Sequence, residues 1–171
     1  PVPLGLLPPR HELLNRLRDV TLWTVLPASE LQVECKQRGL PTDSKKHGHV
    51  TEEEQQQELL DRLLLRSCTG IYKAMGIPAP MLKSFSACAN VAADWAGIDL
   101  LSDADLSRRY ADLGLSSQSV AYCEIRTRLK RVSIWLELPM KQLQLECVAH
   151  HMTCPSGEGQ RNTAICSIAA S

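Results

Sequence analysis

Arg126, Arg128, Lys130 and Arg131 are the one dense basic cluster of the sequence, and phosphate or an acidic protein surface is what such a cluster could bind. On a helix, Arg126 and Lys130 stand one turn apart and share a face. Lys45 and Lys46 form a second, smaller pair in a polar stretch. The plain alternative is a solvated helix face, which is what charge runs usually are. The whole-chain balance favours that alternative: 19 Lys and Arg offset 19 Asp and Glu, for a formal net charge of zero. A neutral chain exerts no general pull on nucleic acid or acidic membrane. Phosphate binding normally needs several basic contacts and collapses as salt rises.

Cys147, His150, His151 and Cys154 lie close enough to suggest zinc, which takes four Cys or His ligands in a tetrahedron. Two observations point away from it. Cys147 occupies a position that Cys35 also occupies, in an apolar helical stripe. His150 and His151 fall at a helix C-terminus, whose partial negative charge favours them without any metal. His47 and His49, in the polar stretch, are weaker candidates still. No metal and no cofactor is therefore expected. Nor is an enzyme. The sequence has no Gly-rich phosphate loop, no His-Glu-x-x-His and no nucleophile elbow. Glu52-Glu53-Glu54 reads as a capped, solvated helix start and not as a catalytic pair, so no catalytic residue is assigned.

The elements that would carry these residues are repeated along the chain. Leu26-Pro27-Ala28-Ser29-Glu30-Leu31-Gln32-Val33-Glu34-Cys35 is echoed by Leu138-Pro139-Met140-Lys141-Gln142-Leu143-Gln144-Leu145-Glu146-Cys147. The stretch from Glu30 to Leu40 is echoed again from Asp105 to Leu115. Superposed, Leu31, Leu106 and Leu143 form one column, Cys35, Tyr110 and Cys147 the next, and Leu40, Leu115 and Met152 a third. Glu12-Leu13-Leu14-Asn15-Arg16-Leu17, Glu58-Leu59-Leu60-Asp61-Arg62-Leu63 and Glu124-Ile125-Arg126-Thr127-Arg128-Leu129 share a second pattern. Trp23 precedes Leu31 by the same distance as Trp135 precedes Leu143. Repetition of this kind outranks other sequence signals. The unit is helix, turn, helix and tight linker, and the fold class is all-α, an array of such units.

In chain order, residues 1–9 are Pro-rich and extended, with Leu4, Leu6 and Leu7 available to a neighbour. Residues 10–26 are the second helix of a partial unit, with Leu13, Leu17 and Val20 on its inner face. Residues 27–69 are a unit with a loop insertion: Gly39 suits a left-handed cap, Pro41 stops the helix, and Thr51-Glu52-Glu53-Glu54 opens the second helix as a capping box. That helix is expected to run to about Ser67, with Leu59, Leu60, Leu63 and Leu64 inward. Residues 70–101 diverge from the pattern. There a helix is expected over 81–95, with Phe85, Cys88, Ala92 and Trp95 on one stripe. Residues 102–137 are a unit, its second helix spanning 118–135, with Ile125, Leu129 and Val132 inward. Residues 138–171 are a degenerate unit and tail, with a helix around 160–168. The chain starts at Pro1 and not Met, and the first unit opens on its second helix, so an upstream part is expected. No run is long and apolar enough to span a bilayer. Seven cysteines show no framework spacing. Cys35, Cys123 and Cys147 read as small buried hydrophobes in a reducing compartment.

A helix followed by Gly39-Leu40-Pro41-Thr42, a polar loop and Glu58-Leu59-Leu60-Asp61-Arg62-Leu63 resembles the SAP motif. This is a small helix–turn–helix unit found in chromatin and nucleic-acid-binding proteins. In that family a Gly and a Lys soon after the Pro open the second helix and meet DNA phosphate. Here Asp43-Ser44-Lys45-Lys46 stands there, and the later copy has Ser116-Ser117-Gln118-Ser119 with no Lys. The Leu-Gln-x-Glu-Cys wording is similar to degenerate SAP-like arrays frequent in some photosynthetic algae. The resemblance implies a non-catalytic structural and interaction subunit, an accessory scaffold that presents helical repeats to partner proteins in a larger assembly. It further implies an organellar setting, an algal photosynthetic complex in a plastid, with pigment contacts only through the complex. The alternative is a SAP-like DNA- or RNA-binding protein of the nucleus that uses Lys45, Lys46, Arg126, Arg128, Lys130 and Arg131.

Overall fold

The computed structural model describes residues 9–43, 51–116, 120–151 and 158–170. Among them every regular element is helical and no strand is present, so the chain is all-α. The helices are α1 (Arg10–Val25), α2 (Ala28–Gln37), α3 (Glu52–Ala74), α4 (Ala79–Leu82), α5 (Phe85–Leu100), α6 (Asp103–Asp112), α7 (Tyr122–Glu137), α8 (Met140–Ala149) and α9 (Arg161–Ala170). A 3-10 turn at Glu158–Gln160 leads into α9. None is long and apolar enough to cross a membrane. The expected arm, apart from Pro9, lies outside the described residues.

The chain divides into two compact units. One holds α1, α2 and α3 together with Ser84–Ser86; the other holds Pro80–Lys83, the remainder of α5, and α6 to α9. In the first, Trp23, Leu31, Cys35, Leu59 and Leu63 form the core. Val20, Leu26, Leu40, Leu60 and Leu64 pack around it. The ten-residue α2 lies on α3, and α1 packs on α3 as well. In the second unit α7 carries α6 and α9. Leu106, Tyr110, Ile125, Leu129, Leu143, Cys147 and Ile165 are buried there.

The helix ends follow from local chemistry. Thr51 Oγ1 accepts from the Glu54 amide at 3.2 Å, and Glu54 Oε2 accepts from the Thr51 amide at 3.1 Å, the reciprocal bonds of a capping box. Ser102 caps α6 through the Asp105 amide at 3.2 Å. Gly39 and Gly114 adopt φ of 67° and 76°, and His151 stands at the corresponding place with φ of 57°. At these ends Gly39 donates to Lys36 O, Gly114 to Ala111 O and His151 to Val148 O. Leu40 closes on Cys35 O at 2.8 Å and Leu115 on Tyr110 O at 3.3 Å. This is the Schellman closure, in which left-handed backbone lets the orphan carbonyls of the last turn find donors.

Several expectations need correction. Leu13 and Leu17 are 38% and 63% exposed, so of the expected inner face of α1 only Val20 packs on the core, together with the buried Trp23. Helix α3 continues two turns past Ser67 to Ala74, because Gly70 sits in open space within the helix and the left-handed stop comes only at Gly76. The helix expected over 81–95 is two helices. Lys83 has φ of 59°, and α5 starts afresh at Phe85, where Asp61 accepts from the amides of Phe85 at 3.0 Å and Ser86 at 3.3 Å. Asp61 thus caps a helix start from another helix, beyond the reach of any local rule. The buried stripe of α5 is Ala87, Cys88, Val91 and Ile98; of the expected four only Cys88 belongs to it. Helix α7 begins at Tyr122 and not at 118, with Ala121 extended ahead of it. Cys123 is exposed, because it lies across the helix from Ile125.

Two measurements test this packing. Leu31→Ala and Leu106→Ala should each lower unfolding stability in urea by about 2–5 kcal/mol, the usual loss for a buried Leu. Gly39→Ala should be destabilising on backbone grounds alone, since a Cβ there meets open space. His151→Gly should raise the midpoint, because glycine adopts left-handed backbone without penalty.

Candidate functional site

The basic cluster on α7 is already engaged. Arg128 bonds Glu124 Oε1 at 2.7 Å and donates from Nη1 to the Tyr110 hydroxyl of α6 at 2.9 Å. Those two contacts, the hydroxyl first, hold the guanidinium even more firmly charged than usual. Lys130 Nζ bonds Asp99 at 2.7 Å and sits 5.3 Å from the centre of the Trp95 ring. Trp95 in turn donates from Nε1 to Lys130 O at 2.9 Å. Arg126 stands 4.0 Å from Asp99. Arg131 alone of the four is exposed with no partner among the described residues. Lys45 and Lys46 lie outside the described residues. The cluster therefore comes together on one helix as expected, but its charge is spent largely on Glu124 and Asp99. Asp99 lies on α5, and nothing in the local sequence of α7 points to it.

The same helix joins its neighbours through Asp94. That carboxylate accepts from Arg109 of α6 at 2.6 Å and from the buried Ser133 hydroxyl of α7. Asn90 of α5 adds a bond to Glu137 at 3.2 Å. These polar ties sit beside the apolar faces and fix which helix lies where.

Trp23 and Trp135 are buried, and neither offers an open ring face for stacking a base or pigment. Trp23 donates from Nε1 to Glu34 Oε2 at 3.2 Å, and Trp135 to Glu146 Oε2 at 3.4 Å. Each bond spans a Leu-Pro linker and ties a helix to its successor. Arg38, paired with Glu34, lies 4.9 Å over the Trp23 ring. At the matching place His150 meets the Trp135 ring edge-on at 6.0 Å. The carbonyl at each linker takes a donor from the second helix after it: Leu26 O from Gln56 Nε2 of α3 at 2.7 Å, Leu138 O from Arg161 Nη2 of α9. The Trp–Glu bond of α1 and α2 and that of α7 and α8 thus join residues at the same sequence spacing, each within its own unit.

His150 is accordingly an aromatic neighbour of Trp135, and Cys147 is buried. Cys154, His47 and His49 lie outside the described residues. Among the described residues no three His, Cys, Asp or Glu side chains gather as metal ligands. Cys35 is buried, with Sγ 3.8 Å from Leu59 O. Burial pushes its thiol above the ordinary value of 9.0, against the lowering pull of Arg62 and Arg38. A thiol held protonated is a poor nucleophile.

The surface that sequence reasoning missed is the outer face of α1. Leu13, Leu14, Leu17, Leu22 and Val25 are all exposed.

Comparison with protein-family models, with curated proteins and with solved structures finds no match.

Two outcomes test the thiol assignments. In the folded protein a maleimide should label Cys123 and leave Cys35 unmodified until the chain unfolds. Because the folded-state pKa of Cys35 is raised, its contribution to stability is intact below about pH 9 and is lost as pH rises above it. Cys35→Ala should flatten that alkaline decline in the thermal midpoint.

Proposed function

We propose that this chain is a non-catalytic interaction subunit that presents helix faces to partner proteins in a larger assembly. One observation carries the reading: a run of large apolar side chains, Leu13, Leu14, Leu17, Leu22 and Val25, stands exposed along a single helix. Leu145 and Val148 on α8 and Val33 on α2 add further exposed apolar groups. Large apolar side chains gathered in exposed positions on one helix mark a place where another protein lies. An accessory role in a plastid photosynthetic complex is the setting that the SAP-like resemblance suggests. It enters here as part of the proposal.

The second reading is nucleic-acid binding, and the exposed Arg131, one turn from Arg128, favours it. Its weakness is electrostatic. Phosphate would have to displace Glu124 and Asp99 from Arg128 and Lys130, whose ion pairs are each 2.7 Å. A net-neutral chain supplies little steering toward a polyanion.

Purification of the native protein from its source separates the two. Protein partners that survive nuclease and high salt, and are lost with Leu13→Glu/Leu17→Glu, are the expected result. Submicromolar, salt-labile binding to duplex DNA, abolished by charge reversal at Arg126, Lys130 and Arg131, would overturn it.

A further inference from the structure

The exposed face of α1 has two buried counterparts inside the same chain. Glu12, Leu13, Arg16 and Leu17 correspond to Glu58, Leu59, Arg62 and Leu63 on α3, and to Glu124, Ile125, Arg128 and Leu129 on α7. The Glu–Arg pair is formed at all three places, at 2.6, 2.7 and 2.7 Å. The apolar residues differ. Leu59, Leu63, Ile125 and Leu129 are at most 2% exposed, against 38% and 63% for Leu13 and Leu17.

What covers them elsewhere is a short helix of one kind. Helix α3 carries α2, whose Leu31 and Cys35 share a core with Leu59 and Leu63. Helix α7 carries α6, whose buried pair is Leu106 and Tyr110. The arginine reads the end of that helix in both cases. Arg62 Nη1 donates to Pro41 O at 2.6 Å, and Arg128 Nη1 donates to the Tyr110 hydroxyl at 2.9 Å. On α1 the equivalent Arg16 keeps its pair with Glu12 and donates to no second acceptor among the described residues.

We infer that the Leu13–Leu17 face of α1 is a docking site for a partner helix of the α2 and α6 type. This deepens the interaction-subunit reading and rests on it. The occupant is an amphipathic helix of about three turns. It carries Leu and, four residues on, Tyr or Cys, and it ends in a left-handed turn. The apolar pair covers Leu13 and Leu17, as Leu31 and Cys35 cover Leu59 and Leu63.

The probe is a side-chain-stapled peptide of residues 102–116 of this chain, titrated into the full-length protein. The staple is needed because a free helix of this length is marginal in water. Saturable one-to-one binding is expected. Leu17→Glu in the protein, or Leu106→Ala in the peptide, should weaken it roughly tenfold or more, as loss of a central apolar anchor does. Leu100→Glu, at an exposed position on α5, should leave it unchanged. Circular dichroism checks that Leu17→Glu keeps its helices, as an exposed position should. No binding by a peptide shown to be helical, or binding indifferent to Leu17→Glu, would overturn the inference. So would a dimer of this chain, seen by light scattering, that Leu17→Glu dissolves, since the occupant is then a second copy. Salt-resistant partners retained by the native protein while the peptide fails would leave the interaction-subunit reading standing and remove only this assignment.

Discussion

A ten-residue helix does not hold itself together in water, because the cost of nucleation is not recovered over so few hydrogen bonds. Helices α2, α6 and α8 are each ten residues long, and everything else in this protein follows from how they are held. Each presents one Leu and, a turn later, a Cys or Tyr, all of them buried. For α2 and α6 the surface that receives the pair is the helix that follows in the chain. The left-handed ends at Gly39 and Gly114 serve the same need. They close the last turn with internal donors, so a short helix can stop abruptly without leaving carbonyls unsatisfied.

Polar groups then decide which surfaces meet. The Trp–Glu bonds across the two Leu-Pro linkers tie a longer helix to the short one after it. The Glu–Arg pairs orient an arginine toward the end of the short helix. Asp61 and Asp94 each gather groups from other segments of the chain. Such groups cost more to bury than apolar ones, and they fix one arrangement among many that Leu stripes alone would permit. The consequence for function is direct. Arg128 and Lys130, which look available in the sequence, are engaged within the fold. Five of the exposed large apolar side chains lie on α1.

The sequence is internally repetitive and aromatic-poor, and both properties favour many small contacts over one large core. With a single Phe in the chain, Leu, Cys and Ala supply most of the packing. Each joint between helices is therefore small. On α1, where Leu13 and Leu17 are exposed, the Glu12–Arg16 ion pair is already formed beside them.

The sequence by itself determined that the chain is helical, where most helices start and stop, and which residues of the short helices go inward. Caps, glycine stops and i, i+4 stripes act over a few residues, so they can be read locally: Thr51, Gly39, Leu31, Leu106 and Leu143 all stand where their letters place them. Tertiary structure decided everything that needs a second segment. Leu13 and Leu17 carry the same letters as the buried Leu59 and Leu63 of α3 and match the buried Ile125 and Leu129 of α7, yet they are exposed. A stripe states that a helix has an inner face, and only the neighbour's presence makes it one. Asp99 neutralises Lys130 from 31 residues away, and Asp61 starts α5 from another helix. Those pairings depend on distances in space that the order of residues does not contain.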